Sequence, residues 1–583
     1  MKILLLHPED HAARGKWADT RWDLIVDLGY AGPTLYAEWS RELATRVISL
    51  RQFTAGDESH RWIGRVLAQG RGRMLDRMGL DWWELLAVWR YQDLEALYLA
   101  RQLSGEIYAA QVELFATRPH RFASLFAHVL SRPIQYFQTG AGPGRFGRIA
   151  VSLRQFRARQ IAEIAFDKWD STYQFRRHLV KRRANVTEPV VLLPSAYSNV
   201  TRTVLSYAAA LPRCRFLLAT TRSNAMPASL PENVEAVSLA AYADSDQQTR
   251  REFAELKRAW HEFQRTRLAE SEDLRIARDA GTFDYFSEQL RIGLCIRDAW
   301  HALLQHEPIT GVLCGDDLNH YTRLPLALAA RMNLNAVYCA HGALDSGLLF
   351  KQSYANIHLV KGEMEKDYAL RSGAVATRQV VVAAPPLADE ALQTQTSMVG
   401  DKIVLFSQPY ELQGGRTIEI YRELMPRLCS VARAVGKRLV IKLHPFESAR
   451  ARARLLAAAL PQKGDRDWVE ILSGAQPALL DQAWCGIGID SSVAVECTLK
   501  GIPFFLCQWL DFGGAGYMQQ FACYGAGILL QSPDDLQRIP EQVSGYRLDH
   551  GINARLWHNA APGQLEAIIT GAGPSRAAAK FAS

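Results

Sequence analysis

No run of the ~18 consecutive apolar residues that a membrane helix needs occurs in this 583-residue chain. A secretory leader is not expected either. Met1–Leu6 carries one lysine and a four-residue apolar run, short of the ~7 or more apolar residues of a signal peptide. That start reads instead as a first β-strand, and the protein is expected in the cytoplasm, free or peripheral at the inner membrane face. No CxxC pair occurs among the nine cysteines. Cys214, Cys295, Cys314, Cys339, Cys429, Cys485, Cys497, Cys507 and Cys523 are scattered, mostly in apolar runs. Such usage excludes a disulfide framework or zinc ribbon and fits reduced, buried thiols; no metal or cofactor is expected. Also missing are low-complexity tracts and any repeat of roughly 20–50 residues. No recognised nucleic-acid motif accompanies the positive charge, so nucleic acid is not an expected partner.

What the chain does have is length for two or three domains and ordinary globular composition, 48% hydrophobic and 22% charged. Its net charge of +8 is mild but unevenly spread. Arg145, Arg148, Arg154, Arg157, Arg159, Arg176, Arg177, Lys181, Arg182 and Arg183 form a basic region. It reads either as a solvated helix face or as a patch for an anionic membrane or anionic glycan. From about Pro33 to Arg183, stretches such as Trp82–Leu103 and Ile107–Phe115 repeat apolar residues at helical spacing. Residues 1–185 are therefore expected to be a strand and loop followed by a mainly helical region, an insertion into the next domain being one reading of it.

An α/β rhythm begins at Pro189. Strands are expected at Val190–Leu193, Phe216–Thr220, Val234–Leu239, Gly311–Gly315 and Ala336–Ala340, with a long charged helical zone over Gln247–His306. After Pro385-Pro386, Gln393–Ser397 reads as a linker. A second unit follows, with strands expected at Ile403–Ser407, Arg438–Leu443, Val469–Leu472, Gly486–Ile489 and Pro503–Cys507. Short apolar runs alternating with helices predict parallel sheets covered on both faces. The expected fold class is thus α/β, with one Rossmann-like domain over 186–390, a second over 391–583, and a cleft between them beyond the carboxyl ends of the strands.

In the second unit, Arg438-Leu-Val-Ile-Lys442-Leu-His444-Pro445 brings a histidine to a strand end. Proline stops the ladder there, and the imidazole can donate to a phosphate. Further on, Gly486-Ile-Gly-Ile-Asp490-Ser491-Ser492-Val-Ala-Val-Glu496 runs a strand into a hydroxyl pair that opens a helix. Serine is a natural N-cap, and the free N–H groups of a helix start favour an anion. Glu496 lies one turn in, on the face of Ser492, where it suits ribose hydroxyls. With Gly501-Ile502-Pro503, these residues resemble the C-terminal donor domain of GT-B glycosyltransferases. They are most similar to bacterial capsule and lipopolysaccharide enzymes that use CMP-activated ulosonic acids, Kdo or sialic acid. The resemblance implies a GT-B-like transferase with a nucleotide-sugar donor, a CMP-sugar, whose phosphate lies at the His444-Pro445 and Ser491-Ser492 elements. It also implies a bacterial surface polysaccharide or a lipid-linked glycan as acceptor. It covers residues 401–530 well and 311–386 in part; residues 1–185 match no part of it.

In the first unit, Gly311-Val-Leu-Cys-Gly315-Asp316-Asp317-Leu-Asn319-His320 sets two acids and a histidine past a strand. Carboxylates there can act as base, nucleophile or sugar clamp, or cap the helix that follows. Ala340-His341-Gly342 ends another strand, the glycine allowing close backbone approach; this His-Gly is similar to that of GT-B capsule and teichoic-acid enzymes. Asp317, Asp316 and His341 are the catalytic candidates. Retention through a covalent glycosyl-enzyme and inversion by a general base both stay open. Further candidate contacts are Ser195, Asn199, Arg202 and His320, together with Gln408, Lys442 and, after Gly414-Gly415, Arg416. His7-Pro8-Glu9-Asp10 repeats a His-Pro near the start, and Asp23 and Asp27 read as structural. Two other functions stay open: a CDP-glycerol- or CDP-ribitol-type polyol-phosphate transferase, and a non-catalytic GT-B module that binds glycan or scaffolds an assembly.

Overall fold

A computed structural model of the protein describes all residues except 8–9, 12–16, 51–56, 108–110, 137–186, 223–224, 228, 244–246, 387–399, 411–415, 475, 512–515, 548–549 and 572–583. The basic region from Arg145 to Arg183, the Gln393–Ser397 linker, Gly414-Gly415 and Pro8-Glu9 lie outside the described residues.

Three parallel sheets carry the fold. The first is Lys2–Leu6 (β1), Leu24–Asp27 (β2), Arg46–Ser49 (β3), Glu113–Ala116 (β4) and Ile134–Tyr136 (β5). The second is Val190–Ser195 (β6), Phe216–Thr220 (β7), Val234–Ser238 (β8), Ile309–Cys314 (β9), Asn335–Tyr338 (β10), Ile357–Val360 (β11) and Val380–Val382 (β12). The third is Lys402–Phe406 (β13), Arg438–Lys442 (β14), Val469–Leu472 (β15), Ala483–Gly488 (β16), Phe504–Cys507 (β17) and Ile528–Leu530 (β18). Their strand orders are β3-β2-β1-β4-β5, β12-β11-β10-β9-β6-β7-β8 and β15-β14-β13-β16-β17-β18. In each, the first strand lies inside the sheet, with the next two on one side and the later ones on the other. Winding therefore reverses at β1/β4, β6/β9 and β13/β16, and crevices for ligands open at such switch points.

Strands of this kind are covered on both faces and read as continuous apolar runs. All six residues of β6 and all six of β16 are buried. Gly486 in β16 is required by close packing, because a Cβ there would stand 2.5 Å from the Phe504 ring.

The α/β class and its parallel Rossmann-like sheets are as expected, but the N-terminal region is not mainly helical. It carries the five-stranded first sheet. Its strands β2 to β5 have only four, four, four and three residues, too short to show period-two alternation beside long helices. The expected helical stretch Ile107–Phe115 ends in β4, whereas Trp82–Leu103 is helical over Trp82–Ala87 and Tyr91–Glu106.

The chain divides into two compact units. One comprises Met1–Ser59, Glu95–Ile149 and Leu387–Leu556, and holds the first and third sheets. At the end of β2, buried Asp27 accepts from the Tyr36 hydroxyl at 2.7 Å and lies 3.1 Å from His11 Nε2. The other unit comprises His60–Leu94, Ala150–Pro386 and Trp557–Ser583, and holds the second sheet. Its helix Pro562–Thr570 returns to that sheet, where Asn335 Nδ2 donates to the carbonyls of Ile568 and Ile569 at 2.6 and 2.9 Å. The His60–Leu94 segment is fastened by buried ions. Arg297, with no exposed side-chain surface, meets Asp76 at 2.7 Å and Glu252 at 2.8 Å, and Arg323 meets Glu84 at 2.9 Å. Among the described residues, no helix is long and apolar enough to cross a membrane.

Candidate functional site

The third sheet delivers His444 just beyond β14. Glu447 holds the loop in place: its Oε2 accepts the His444 backbone N–H at 2.7 Å, and its Oε1 accepts from Ser407 Oγ at 2.8 Å and Arg452 Nε at 2.7 Å. Burial pushes the Glu447 carboxyl above its ordinary range, and these donors oppose the rise. The Phe446 backbone N–H donates to His444 Nδ1 at 3.2 Å. A neutral ring then carries its proton on Nε2, a donor suited to a phosphate oxygen. Glu447 escaped the sequence reading; its signal was an acid three residues after the histidine, the spacing of a capping turn.

Past β16 the chain departs from expectation. The helix Val493–Leu499 has seven residues, and Ser492, at its N-cap, is already helical (φ −62, ψ −15) and makes no cap bond. Ser491 Oγ accepts from the Val493 backbone N–H at 3.4 Å instead. So short a helix offers little dipole, and anion binding here falls to the two hydroxyls rather than to the helix end. Glu496 is exposed.

The stronger signal lies beside them. Asp490 Oδ1 and Gln408 Oε1, at the ends of β16 and β13, are buried without hydrogen-bond partners, as are Gln508 Oε1 and Trp509 Nε1 beyond β17. Burial pushes Asp490 up to about 6; the Gln408 amide opposes this and Asp511 adds to it. An unpaired buried polar group costs about 1–3 kcal/mol. Four of them lie at the carboxyl ends of the neighbouring strands β13, β16 and β17, beside the β13/β16 switch point, where doubly wound sheets place their ligands. Of the four, only Gln408 was anticipated. Arg416 forks onto Glu419 at 2.9 and 2.7 Å, and Lys442 Nζ donates to the Leu443 carbonyl at 2.9 Å, so both candidates have protein partners.

In the second sheet, the β6/β9 switch point gathers most of the other candidates. Ser195 is fully buried, with Oγ 2.7 Å from Thr201 Oγ1, which fastens the loop after β6. Asp316 is a capping residue. Its Oδ1 accepts the Leu318 N–H at 3.0 Å and its Oδ2 accepts from Thr322 Oγ1 at 3.1 Å and from Asn319 Nδ2. Asn319 in turn caps the helix His320–Arg331.

Asp317 has no exposed surface and stands 3.5 Å from Arg323 Nε and 3.8 Å from Lys351 Nζ. Burial pushes it up to about 6 against the pull of those two cations. Lys351 also pairs with Asp345 at 2.8 Å, and Asp345 accepts from the Tyr338 hydroxyl at 2.7 Å. Asp317 thus sits inside a buried ionic string, not at an open surface.

His341, by contrast, is exposed. Its backbone N–H donates to the Gly315 carbonyl at 3.0 Å and its Nδ1 lies 2.9 Å from the same oxygen. A donating Nδ1 leaves Nε2 as the basic nitrogen. Gly315 lets the helix Ser198–Ala209 pack closely on this strand end, since a Cβ there would stand 3.1 Å from Val200 Cγ1. Thr203 Oγ1 bonds the carbonyls of both Asn199 (3.2 Å) and His341 (3.4 Å). Arg202 is exposed on the same helix. Asn199 Oδ1 and both ring nitrogens of His320 are buried without partners, and burial, aided by Arg222, holds the His320 ring neutral at about 3. Among the described residues, no group of three or more His, Cys, Asp or Glu could hold a metal ion.

No family model matches the chain, and no curated protein matches it. Among solved structures it is similar to the UDP-GlcNAc 2-epimerase of Methanocaldococcus jannaschii in complex with UDP-GlcNAc and UDP, at 12% identity and TM-score 0.41 over 66% of this chain and 98% of that one. It is also similar to the calicheamicin glycosyltransferase CalG4 (16%, 0.37, 68% and 98%) and to a glycosyltransferase from Rickettsia africae (8%, 0.38, 66% and 93%).

Proposed function

We propose that the chain is a nucleotide-sugar-dependent glycosyltransferase that holds its donor at the β13/β16 switch point. The observation behind this is the gathering of the His444 Nε2 donor and the unpartnered Gln408, Asp490, Gln508 and Trp509 atoms at one edge of a doubly wound sheet. In this reading the donor phosphate accepts from His444 Nε2 and the Ser491 and Ser492 hydroxyls. Asp490 would repel a phosphate, so it and Gln408 take neutral hydroxyls of the same ligand. The His-Pro and Ser-Ser style of these loops favours a CMP-ulosonic acid, transferred to a bacterial surface polysaccharide or glycolipid.

For the chemistry, a general base takes the proton of an acceptor hydroxyl as that oxygen bonds to the anomeric carbon, and His341, exposed and with a basic Nε2, is the group proposed for that role. The bond from that carbon to the donor phosphate oxygen breaks, and its electron pair leaves with the nucleotide. Asp317, fully buried between Arg323 and Lys351, serves to position the loop rather than to attack. This favours inversion over a glycosyl-enzyme.

Thermal unfolding with cytidine and uridine nucleotides tests the proposal. A ligand at a hundred times its Kd stabilises the native state by about 2.7 kcal/mol. CMP or CTP is expected to do so, and His444→Ala and Glu447→Gln to diminish the shift. Stabilisation by uridine nucleotides alone would remove the CMP assignment but keep the transferase. Turnover of CDP-glycerol would move it to the polyol-phosphate transferases, and no response to any nucleotide would sink it.

A further inference from the structure

We propose that the β6/β9 edge is a subsite for a neutral pyranose ring of the acceptor, with one wall supplied by Trp89 of the His60–Leu94 segment. Trp89 lies in the turn Val88–Arg90, and its ring meets His320 edge-on at 5.7 Å. His320 stacks on Tyr321 at 4.3 Å. The Arg222 guanidinium lies 4.9 Å from the centres of both the Tyr321 and Tyr197 rings and donates to the Tyr197 hydroxyl at 3.1 Å. Those contacts fix an aromatic wall at the carboxyl end of the sheet.

The polar atoms set into this wall are what select the ligand. Trp89 Nε1, both nitrogens of His320 and Asn199 Oδ1 are buried and have no partner, and His320 is only 7% exposed. Trp89 Nε1 can only donate and Asn199 Oδ1 can only accept, while a neutral imidazole offers one of each. A sugar hydroxyl donates and accepts at once, so a row of hydroxyls meets all four atoms. The apolar C–H face of the ring meanwhile covers the aromatic surfaces, the usual make-up of a small-molecule site. Carboxylates and phosphates only accept; they would leave Asn199 Oδ1 facing an anion. Asn199 is also linked to His341 through Thr203 Oγ1, so the subsite shares an edge with the proposed base.

The assignment rests on the transferase reading, so glycan binding is measured without nucleotide, and the nucleotide shift is recorded separately on the same proteins. The probes are cello-, chito- and galacto-oligosaccharides against hyaluronan and sialic-acid oligomers, read by saturation-transfer NMR on the full chain. A neutral oligosaccharide is expected to bind and the acidic ones not. His320→Phe, which keeps the stacking ring but removes both nitrogens, should weaken binding roughly ten-fold, and Trp89→Phe several-fold. Both variants should keep the nucleotide shift. Preference for the acidic oligomers, no neutral binding, unchanged affinity in both variants, or displacement of the glycan by free cytidine would each overturn the inference. Should the variants unfold, wild-type crystals soaked with the bound oligosaccharide decide it: sugar against Trp89 and His320 upholds the subsite, and sugar elsewhere removes it.

Discussion

Replacing Asp317 by asparagine isolates the cost of its burial. The carboxyl is fully buried with neither oxygen hydrogen-bonded, and its pKa is pushed up to about 6 from 3.8. A rise of about two units corresponds to roughly 3 kcal/mol of native-state penalty on the ionised form. Well below the unfolded value of 3.8 the group is protonated in both native and unfolded chains, and no penalty applies. As pH rises through the folded value, the unfolded chain releases its proton first, so the wild type loses stability relative to an asparagine that cannot titrate. Between pH 5 and 7.5 the wild type should lose roughly 1.4 kcal/mol of the total against Asp317→Asn. Lys351 and Arg323 stay charged throughout that range, so they do not distort the difference. Urea or thermal unfolding of both proteins at pH 5.0, 6.0, 6.75 and 7.5 (roughly spanning the predicted transition) measures it. A difference that stays flat with pH, or that favours the wild type increasingly as pH rises, refutes the burial argument.

Arg297→Met leaves Asp76 buried without its counter-charge and leaves Glu252 with Arg77 alone, at 3.3 Å. Unfolding stability should fall by about 3–5 kcal/mol, whereas a loss below ~1 kcal/mol would mean that these ions do not hold the His60–Leu94 segment. His341→Ala should lower kcat about 10²- to 10⁴-fold, the usual worth of a general base, with the nucleotide-induced thermal shift intact. Unchanged turnover would remove His341 from the chemistry.

Much of the fold was legible because the strands of the second and third sheets are buried on both faces and spaced by helices. Phe216–Thr220 and Val469–Leu472 fall where the apolar pattern put them, and most other strand ends shift by a residue or two. The first sheet was not legible. Glu113-Leu-Phe-Ala forms β4, but four residues ending a helix-spaced stretch carry no periodicity of their own. The site divides in the same way. A strand running into His-Pro advertises His444 locally. Asp316 and Asp317 are neighbours with the same chemistry in the sequence, and only tertiary packing turns one into a cap and buries the other under Arg323 and Lys351. Asp490, Gln508 and Trp509 went unrecognised because a missing hydrogen-bond partner belongs to the folded chain, not to a motif. Ser491-Ser492 stands out in the sequence, but the helix it opens is too short for the dipole argument that recommends it there.

The most direct test of the donor assignment is a crystal structure of the protein with CMP or CTP. A phosphate oxygen is expected within hydrogen-bond distance of His444 Nε2 and of the Ser491 or Ser492 hydroxyl, with ligand hydroxyls on Asp490 and Gln408. A nucleotide bound at the β1/β4 or β6/β9 edge, with His444 untouched, would contradict it.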